Sequence, residues 1–178
     1  MKQIIGSAGS GKSFVLADKV AEKLSEDKSV VVMCYEGKKE LLKKVNFFLE
    51  KRGYKEGDTV KLLRVVQVPT TSISTTSGYI MEAVSEDIVF VDMPIISNIN
   101  TDRPYWASIG AYLNVMRAVA EFAQCELWMS LQSNRDTMTH KTMSILVVDE
   151  EDSSKHQVIT LETIQDWVGG YSKSVYSK

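Results

Sequence analysis

The chain has 178 residues, a formal net charge of -2 and a pI near 5.8. Apolar residues make up 44% and charged residues 25%, a balance that excludes an intrinsically disordered chain and predicts one globular domain. The weak negative charge gives no overall sign of nucleic-acid binding, which a strongly basic domain would give. No run approaches the ~18 apolar residues of a membrane span, and the first residues do not form a signal peptide. We therefore expect a cytoplasmic protein.

Apolar runs and helical patterns alternate along the chain. Short apolar runs predict strands at residues 2–5, 29–35, 59–68, 87–92, 125–131, 143–149 and 156–162. Apolar residues at helical spacing predict helices at residues 11–25, 38–52, 78–85 and 105–124, and polar stretches predict loops at residues 94–104 and 133–141. Strands that alternate with helices are typical of an α/β fold with a mainly parallel central sheet flanked by helices.

The C-terminal part of the chain departs from this alternation. A short acidic connector joins the last two predicted strands, which favours an antiparallel β-hairpin. Residues 169–178 are polar and are predicted to form a frayed tail. We therefore divide the chain into a single domain at residues 1–168 and a polar C-terminal tail at residues 169–178.

The most specific motif lies between the first predicted strand and the first predicted helix. Residues 6–13 read Gly-Ser-Ala-Gly-Ser-Gly-Lys-Ser, which satisfies the phosphate-loop pattern G-x-x-x-x-G-K-[ST]. Glycines let the backbone N–H groups turn toward phosphate oxygens, and the following helix adds its positive end. Lys12 is expected to reach the β- and γ-phosphates, and the Ser13 hydroxyl to bind Mg²⁺. The predicted nucleotide-binding residues are Gly6, Ser7, Ala8, Gly9, Ser10, Gly11, Lys12, Ser13 and Phe14.

A second part of the predicted magnesium site comes from the strand at residues 87–92. Asp92 closes the apolar run Ile-Val-Phe-Val, and a carboxylate at the end of such a strand holds Mg²⁺ in phosphate-loop proteins. The alternative is an aspartate that only ends a strand. Ser13 and Asp92 are therefore the predicted metal ligands, and ATP with Mg²⁺ is the predicted cofactor pair.

Hydrolysis also needs a group that orients or deprotonates water. Many phosphate-loop ATPases place a glutamate directly after the strand-ending aspartate, but that position here is Met93. Glu36, just after the strand at residues 29–35, is the candidate base, although an acid in the first turn of a helix is also explained by the helix dipole. Gln132, at the end of another predicted parallel strand, is a candidate contact for the γ-phosphate, although loop capping also explains it. The predicted catalytic set is Lys12, Glu36 and Gln132.

These parts together resemble the RecA-like ATPases, in particular the branch of DnaB-type replicative helicases and KaiC. The loop at residues 6–13 is similar to the Walker A loop of that family, and the strand ending at Asp92 to its Walker B strand. Residues 34–42 look like the second strand and helix, with Glu36 at the position of the water-activating glutamate. Residues 69–83 resemble the Ser/Thr-rich segment before Walker B, and residues 126–135 the strand that ends in the Ser-Gln-Leu-Asn-Arg motif. The resemblance extends over residues 1 to about 162.

The resemblance implies that the strand bearing Gln132 lies between the Walker A and Walker B strands. It also implies ATP bound between neighbouring subunits of a ring or filament, and single-stranded DNA or RNA held by loops at residues 95–104 and 133–142. Arg103, Arg135 and Lys141 are the candidate phosphate contacts there, and they are equally explained as solvated loop charges. The family's helicases carry a Lys-x-Arg pair on a late strand that reaches the neighbour's ATP. Residues 158–164 contain no such pair, so hydrolysis is expected to be slow or to depend on a partner.

The leading interpretation is therefore a RecA/DnaB-like ATPase that acts in DNA metabolism. A nucleic-acid packaging ATPase uses a similar core and is the alternative within the same fold. A nucleotide-binding accessory module with little turnover is an alternative of another class, which the missing Lys-x-Arg pair favours. A small-molecule kinase needs a lid with clustered arginines, and the arginines of this chain do not cluster in the sequence.

Overall fold

A computed structural model describes residues 1–34, 37–55, 57–58, 60–67, 78, 81, 88–92, 105–132, 144–152 and 154–176. The predicted loops at residues 94–104 and 133–141 lie outside these ranges, as does most of the short helix predicted at residues 78–85. All statements below concern the described residues.

The described elements follow the predicted alternation of strands and helices. The strands are β1 (Lys2–Gly6), β2 (Val30–Cys34), β3 (Leu63–Gln67), β4 (Ile88–Asp92), β5 (Glu126–Gln132), β6 (Ile145–Asp149) and β7 (Gln157–Ile159). The helices are α1 (Lys12–Ser25), α2 (Lys38–Lys51), α3 (Tyr105–Ala123) and α4 (Leu161–Tyr176), and a 3-10 turn at Val60–Leu62 precedes β3. Within the described ranges, no helix has both the length and the apolar character needed to cross a bilayer.

The seven strands form one sheet in the order β3-β2-β4-β5-β1-β6-β7. The five strands from β3 to β1 are mutually parallel, β6 runs antiparallel to β1, and β7 runs antiparallel to β6. The predicted α/β class, the mainly parallel sheet and the C-terminal hairpin are therefore confirmed. The strand that ends at Gln132 lies between β1 and β4, so the carboxyl ends of these three strands meet at one edge of the sheet.

Helices cover both faces of the sheet, and the alternation of side chains along each strand explains this arrangement. In β2, Val30 and Val32 join the core that contains residues of α1, α2 and α4. Val31 and Met33 point the other way and join the core formed with α3. Strands β2 and β4 are buried along their whole length, which accounts for their continuous apolar runs.

The C-terminal prediction was wrong in two respects. The strand predicted at residues 156–162 ends at Ile159, and the tail predicted at residues 169–178 is helical as far as Tyr176. Thr160 begins this helix, because its side chain accepts a hydrogen bond from the N–H of Thr163. Apolar side chains at helical spacing then pack on the core: Ile164 and Tyr171 are buried, and Trp167 and Val175 are partly buried.

Candidate functional site

The loop between β1 and α1 is closed by hydrogen bonds to a single carbonyl group. The oxygen of Ser7 accepts hydrogen bonds from the backbone N–H of Ser10 at 3.3 Å and from its hydroxyl at 2.8 Å. Gly9 and Gly11 both have positive φ, at 72° and 93°, which only glycine adopts readily. Gly11 caps the start of α1 and has no side chain with which to accept hydrogen bonds from the first helical N–H groups.

Packing also restricts two of the loop's glycines. A Cβ atom on Gly6 would lie 2.6 Å from the Ser10 hydroxyl oxygen. A Cβ atom on Gly11 would lie 2.5 Å from a methyl carbon of Ile164, in the first turn of α4. The second contact was not apparent in the sequence, because α4 was not predicted. The C-terminal helix therefore packs directly on the loop.

Lys12 is held inside this loop. Its side-chain ammonium donates a hydrogen bond of 2.6 Å to the Ser7 carbonyl, and the residue is only 4% exposed. Burial lowers the pKa of Lys12 below the usual value for a lysine, and the negative charge of Asp92 partly offsets this effect. A neutral carbonyl is a weaker partner for an ammonium group than an anion is, so an anionic ligand has the advantage over Ser7.

Asp92 ends β4 and is 6% exposed. The hydroxyl of the fully buried Ser130 donates a hydrogen bond of 3.0 Å to the Asp92 Oδ1 atom. Ser130 lies on β5, the strand next to β4, so the parallel pairing brings the two side chains to the same height. Ser130 lies within the strand predicted at residues 125–131, and the sequence pattern indicated no role for it. The structure shows that it orients the predicted magnesium ligand.

One cavity of about 210 Å³ brings the predicted parts together. Its lining residues are Ala8, Gly9, Gly11, Lys12, Ser13, Asp92 and Gln132. Gln132 reaches this position because it pairs in register with Gly6, where the loop leaves β1. The loop, the strand-ending carboxylate and the candidate sensor thus converge, while their catalytic roles stay predictions.

Two predicted residues of the loop make unforeseen contacts. The hydroxyl oxygen of Ser13 accepts a hydrogen bond of 3.0 Å from the ammonium of Lys44 on α2. The ring of Phe14 packs edge-on against Tyr171, with centroids 5.4 Å apart, and is 9% exposed. The side chain of Phe14 therefore belongs to the packing of α1 against α4, and it is not among the residues that line the cavity.

Four predicted site residues lie outside the described residues. Glu36, the candidate base, follows the end of β2 at Cys34 by two positions. Arg103, Arg135 and Lys141, the candidate nucleic-acid contacts, fall in two ranges that are likewise not described. Their roles stay predictions.

A larger cavity, of about 470 Å³, lies at the opposite edge of the sheet, where the parallel strands begin. Its principal charges are paired within the protein. Glu126 accepts hydrogen bonds from Lys2 at 3.0 Å and from the Trp128 ring N–H at 2.6 Å. Burial acts to raise the pKa of Glu126, but these two hydrogen bonds bring it below its usual value. Glu150 accepts two hydrogen bonds from the Arg117 guanidinium, at 3.0 and 2.8 Å.

The comparisons with known proteins add no assignment. No protein-family model matches the chain, and no curated protein is significantly similar to it. Within the described ranges, no group of three or more His, Cys, Asp or Glu side chains is arranged to hold a metal ion. The cavity at the end of the loop is therefore the feature from which a function can be inferred.

Proposed function

We propose that the protein binds ATP with Mg²⁺ in the cavity of about 210 Å³ and hydrolyses it slowly or with the help of a partner. The observation that carries this proposal is the convergence of Lys12, Asp92 and Gln132 on that cavity. A glycine-rich loop, a buried lysine and a buried carboxylate together meet the needs of a nucleotide's phosphates and their metal.

The size of the cavity supports phosphate binding. Pockets that enclose a whole small molecule measure roughly 300–1,000 Å³, so this one suits the phosphate chain with the base and ribose outside it. The ammonium of Lys12 exchanges the Ser7 carbonyl for a phosphate oxygen, and the first N–H groups of α1 provide further donors. This exchange replaces a neutral acceptor by a charged one, which favours the ligand.

The donor set also fits Mg²⁺. Asp92 offers a carboxylate and Ser13 a hydroxyl, which are the hard oxygen ligands that Mg²⁺ prefers. Mg²⁺ commonly takes only one or two protein carboxylates together with phosphate oxygens and water, so a cluster of several acids is not required. When bound, the ion neutralises charge on the β- and γ-phosphates. The Ser130 hydroxyl keeps the Asp92 carboxylate oriented toward this position.

The proposal assigns hydrolysis to Gln132 and Glu36. Gln132 lines the cavity and acts as the contact for the γ-phosphate. Glu36 acts as the base, since the residue after Asp92 is Met93 and cannot deprotonate water.

The strand order supports a RecA-like ATPase of the DnaB branch. The family resemblance implied that the strand bearing the sensor separates the two Walker strands, and β5 lies between β1 and β4. On this basis we propose that the ATPase acts in DNA metabolism as an oligomer, with single-stranded DNA or RNA as its partner.

The deciding experiment measures ATP binding and turnover with and without single-stranded DNA, on protein whose mass in solution is also measured. Lys12→Ala should abolish ATP binding, because no other described cation lines the cavity. Unchanged binding by this variant would exclude the site.

Single strands should stimulate hydrolysis, and added salt should weaken their binding. Equal turnover with and without DNA or RNA would instead favour an accessory module or a kinase.

A further inference from the structure

Lys44 lies outside the predicted site, and its side chain contacts Ser13, a proposed metal ligand. It lies in the second turn of α2, 31 residues beyond Ser13 in the chain, and its ammonium is 3.0 Å from the Ser13 hydroxyl oxygen. The same ammonium lies 4.9 Å from the centre of the Phe14 ring. Lys44 is not among the residues that line the cavity, so it approaches Ser13 from outside.

Neighbouring contacts hold α2 in the position from which Lys44 reaches Ser13. The Phe14 ring under Lys44 packs against Tyr171 of α4. The Tyr171 hydroxyl in turn donates a hydrogen bond of 3.0 Å to Glu40, one turn before Lys44 on α2. Helices α1, α2 and α4 thus meet around this lysine, and its contact with Ser13 is a feature of the packed domain.

The hydroxyl group of a serine has one hydrogen to donate and two lone pairs with which to accept. Lys44 uses one lone pair of Ser13. A Mg²⁺ ion that binds Ser13 uses the same oxygen atom, and this brings a second cation next to the ammonium. Two positive charges on one oxygen repel each other. A partly buried site screens this repulsion less than bulk water does.

We propose that Lys44 sets the magnesium affinity of the nucleotide site by competing with the metal ion for the Ser13 hydroxyl. This inference rests on the proposed binding of ATP with Mg²⁺. The ammonium must leave Ser13 when the metal binds, and it then loses one hydrogen bond and its position over the Phe14 ring. Contacts of this kind limit the competition to roughly three- to tenfold in affinity.

The test measures the dissociation constant of ATPγS by calorimetry, once with excess Mg²⁺ and once with EDTA. The ratio of the EDTA value to the Mg²⁺ value reports how much the metal strengthens binding, and it does not depend on turnover. Lys44→Met should raise this ratio roughly three- to tenfold over the unmodified protein. A ratio that is unchanged or lower in Lys44→Met would overturn the inference.

Lys43→Met is the matched control. Lys43 is the neighbouring lysine, half exposed, and it pairs with Glu40 at 3.0 Å instead of reaching Ser13. Its removal changes the net charge by the same amount and should leave the ratio unchanged. An equal rise in both variants would mean that overall charge, and not the Ser13 contact, controls the metal, which overturns the inference.

A double-mutant comparison with Ser13→Ala isolates the shared oxygen. In the Ser13→Ala background, Lys44→Met should no longer change the ratio, because the oxygen for which the two cations compete is gone. A rise as large as in the unmodified background would contradict competition at Ser13. Circular dichroism of every variant verifies the fold. If the unmodified protein binds ATPγS and only the ratio fails to respond, the inference fails while the proposed function stands; if it does not bind at all, both fail.

Discussion

The cavities at the two edges of the sheet differ in how their charged side chains are paired. The cavity at the edge where the parallel strands begin measures about 470 Å³, and the one at the edge where they end about 210 Å³. In the larger cavity, Lys2 is paired with Glu126 and Arg117 with Glu150. In the smaller cavity, the buried ammonium of Lys12 is bound to a neutral backbone carbonyl.

This difference explains why the proposed binding site is the smaller of the two cavities. Charges that already neutralise each other gain little from a ligand, because the ligand must first compete with an opposite charge of the protein. A buried cation with a neutral partner gains a charged hydrogen bond when an anion arrives. The hydrogen bond of Lys12 to a neutral carbonyl therefore supports the proposal that the smaller cavity binds phosphates.

The largest expected effect on ligand binding concerns the metal at the smaller cavity. Asp92→Asn keeps an oxygen for the Ser130 hydroxyl but removes the negative charge. The factor by which Mg²⁺ increases ATP affinity should therefore be at least ~10–100-fold smaller than in the unmodified protein. Titration of ATPγS with and without Mg²⁺ measures the change. Asp149→Asn is the control, since Asp149 also ends a strand but lines the larger cavity. If Asp149→Asn weakened the magnesium effect as much, the contrast between the edges would be lost.

The largest expected effect on stability concerns the packing of the loop. Gly11→Ala should destabilise the protein by about 2–4 kcal/mol, because a positive φ and the close methyl group of Ile164 both oppose a Cβ atom. Denaturant unfolding measures the loss. Gly9→Ala separates the two causes, since Gly9 also has positive φ but has no atom within 4 Å of the added carbon. Equal losses for the two variants would show that the contact with Ile164 does not matter.

A smaller effect is expected at the larger cavity. Arg117→Met should cost at most about 1 kcal/mol of stability, because Arg117 and Glu150 form a partly exposed ion pair. ATP affinity should not change, since Arg117 lies at the opposite edge from the loop. Urea unfolding and ATPγS binding measure the two quantities. A clear loss of ATP affinity without unfolding would contradict the proposal that ATP binding depends on the smaller cavity and not on the larger one.

The smallest effect concerns the contact between α2 and α4 beside the smaller cavity. Burial, and then the Glu40 carboxylate, raise the pKa of Tyr171 to about 12 from its usual value of 10. A raised pKa in the folded state means that the stabilisation is fully present below pH 10 and is lost as the pH rises through about 12. The change should be less than about 1 kcal/mol, because Glu40 is largely exposed and solvent screens the contact.

Unfolding by urea between pH 9 and pH 12 measures this change. Tyr171→Phe should show a flatter decline than the unmodified protein, because it has no phenol to ionise at this contact. The same slope in both proteins would mean that ionisation of Tyr171 does not weaken the contact between α2 and α4.

The sequence allowed prediction of the parts of the candidate site that depend on local pattern. The loop at residues 6–13 is a contiguous motif, and Asp92 and Gln132 end apolar runs that become parallel strands, so their convergence followed from the fold class. Ser130 and Lys44 could not be assigned, because each acts on a side chain far away in the sequence. Only the pairing of β5 with β4 and the packing of α2 on α1 bring them there.

Helix α4 was missed for an energetic reason. The polar composition of residues 169–178 predicted a tail, and Gly169 and Gly170 each disfavour a helix by roughly 1 kcal/mol relative to alanine. Packing outweighs this preference, because Ile164 and Tyr171 are buried against the core. Gly170 also allows α4 to pack closely on α2, since a Cβ atom there would lie 3.2 Å from the Phe47 ring.

The position of β1 in the sheet has a consequence for the order of folding. Its described neighbours are β5 and β6, and both are synthesised after α3. A chain that is still on the ribosome therefore carries the loop at residues 6–13 without the strands that fix its beginning. Pairings between such distant segments close slowly, because chain entropy is lost before contacts form. The loop at residues 6–13 thus attains its folded geometry only after β5 and β6 have been made.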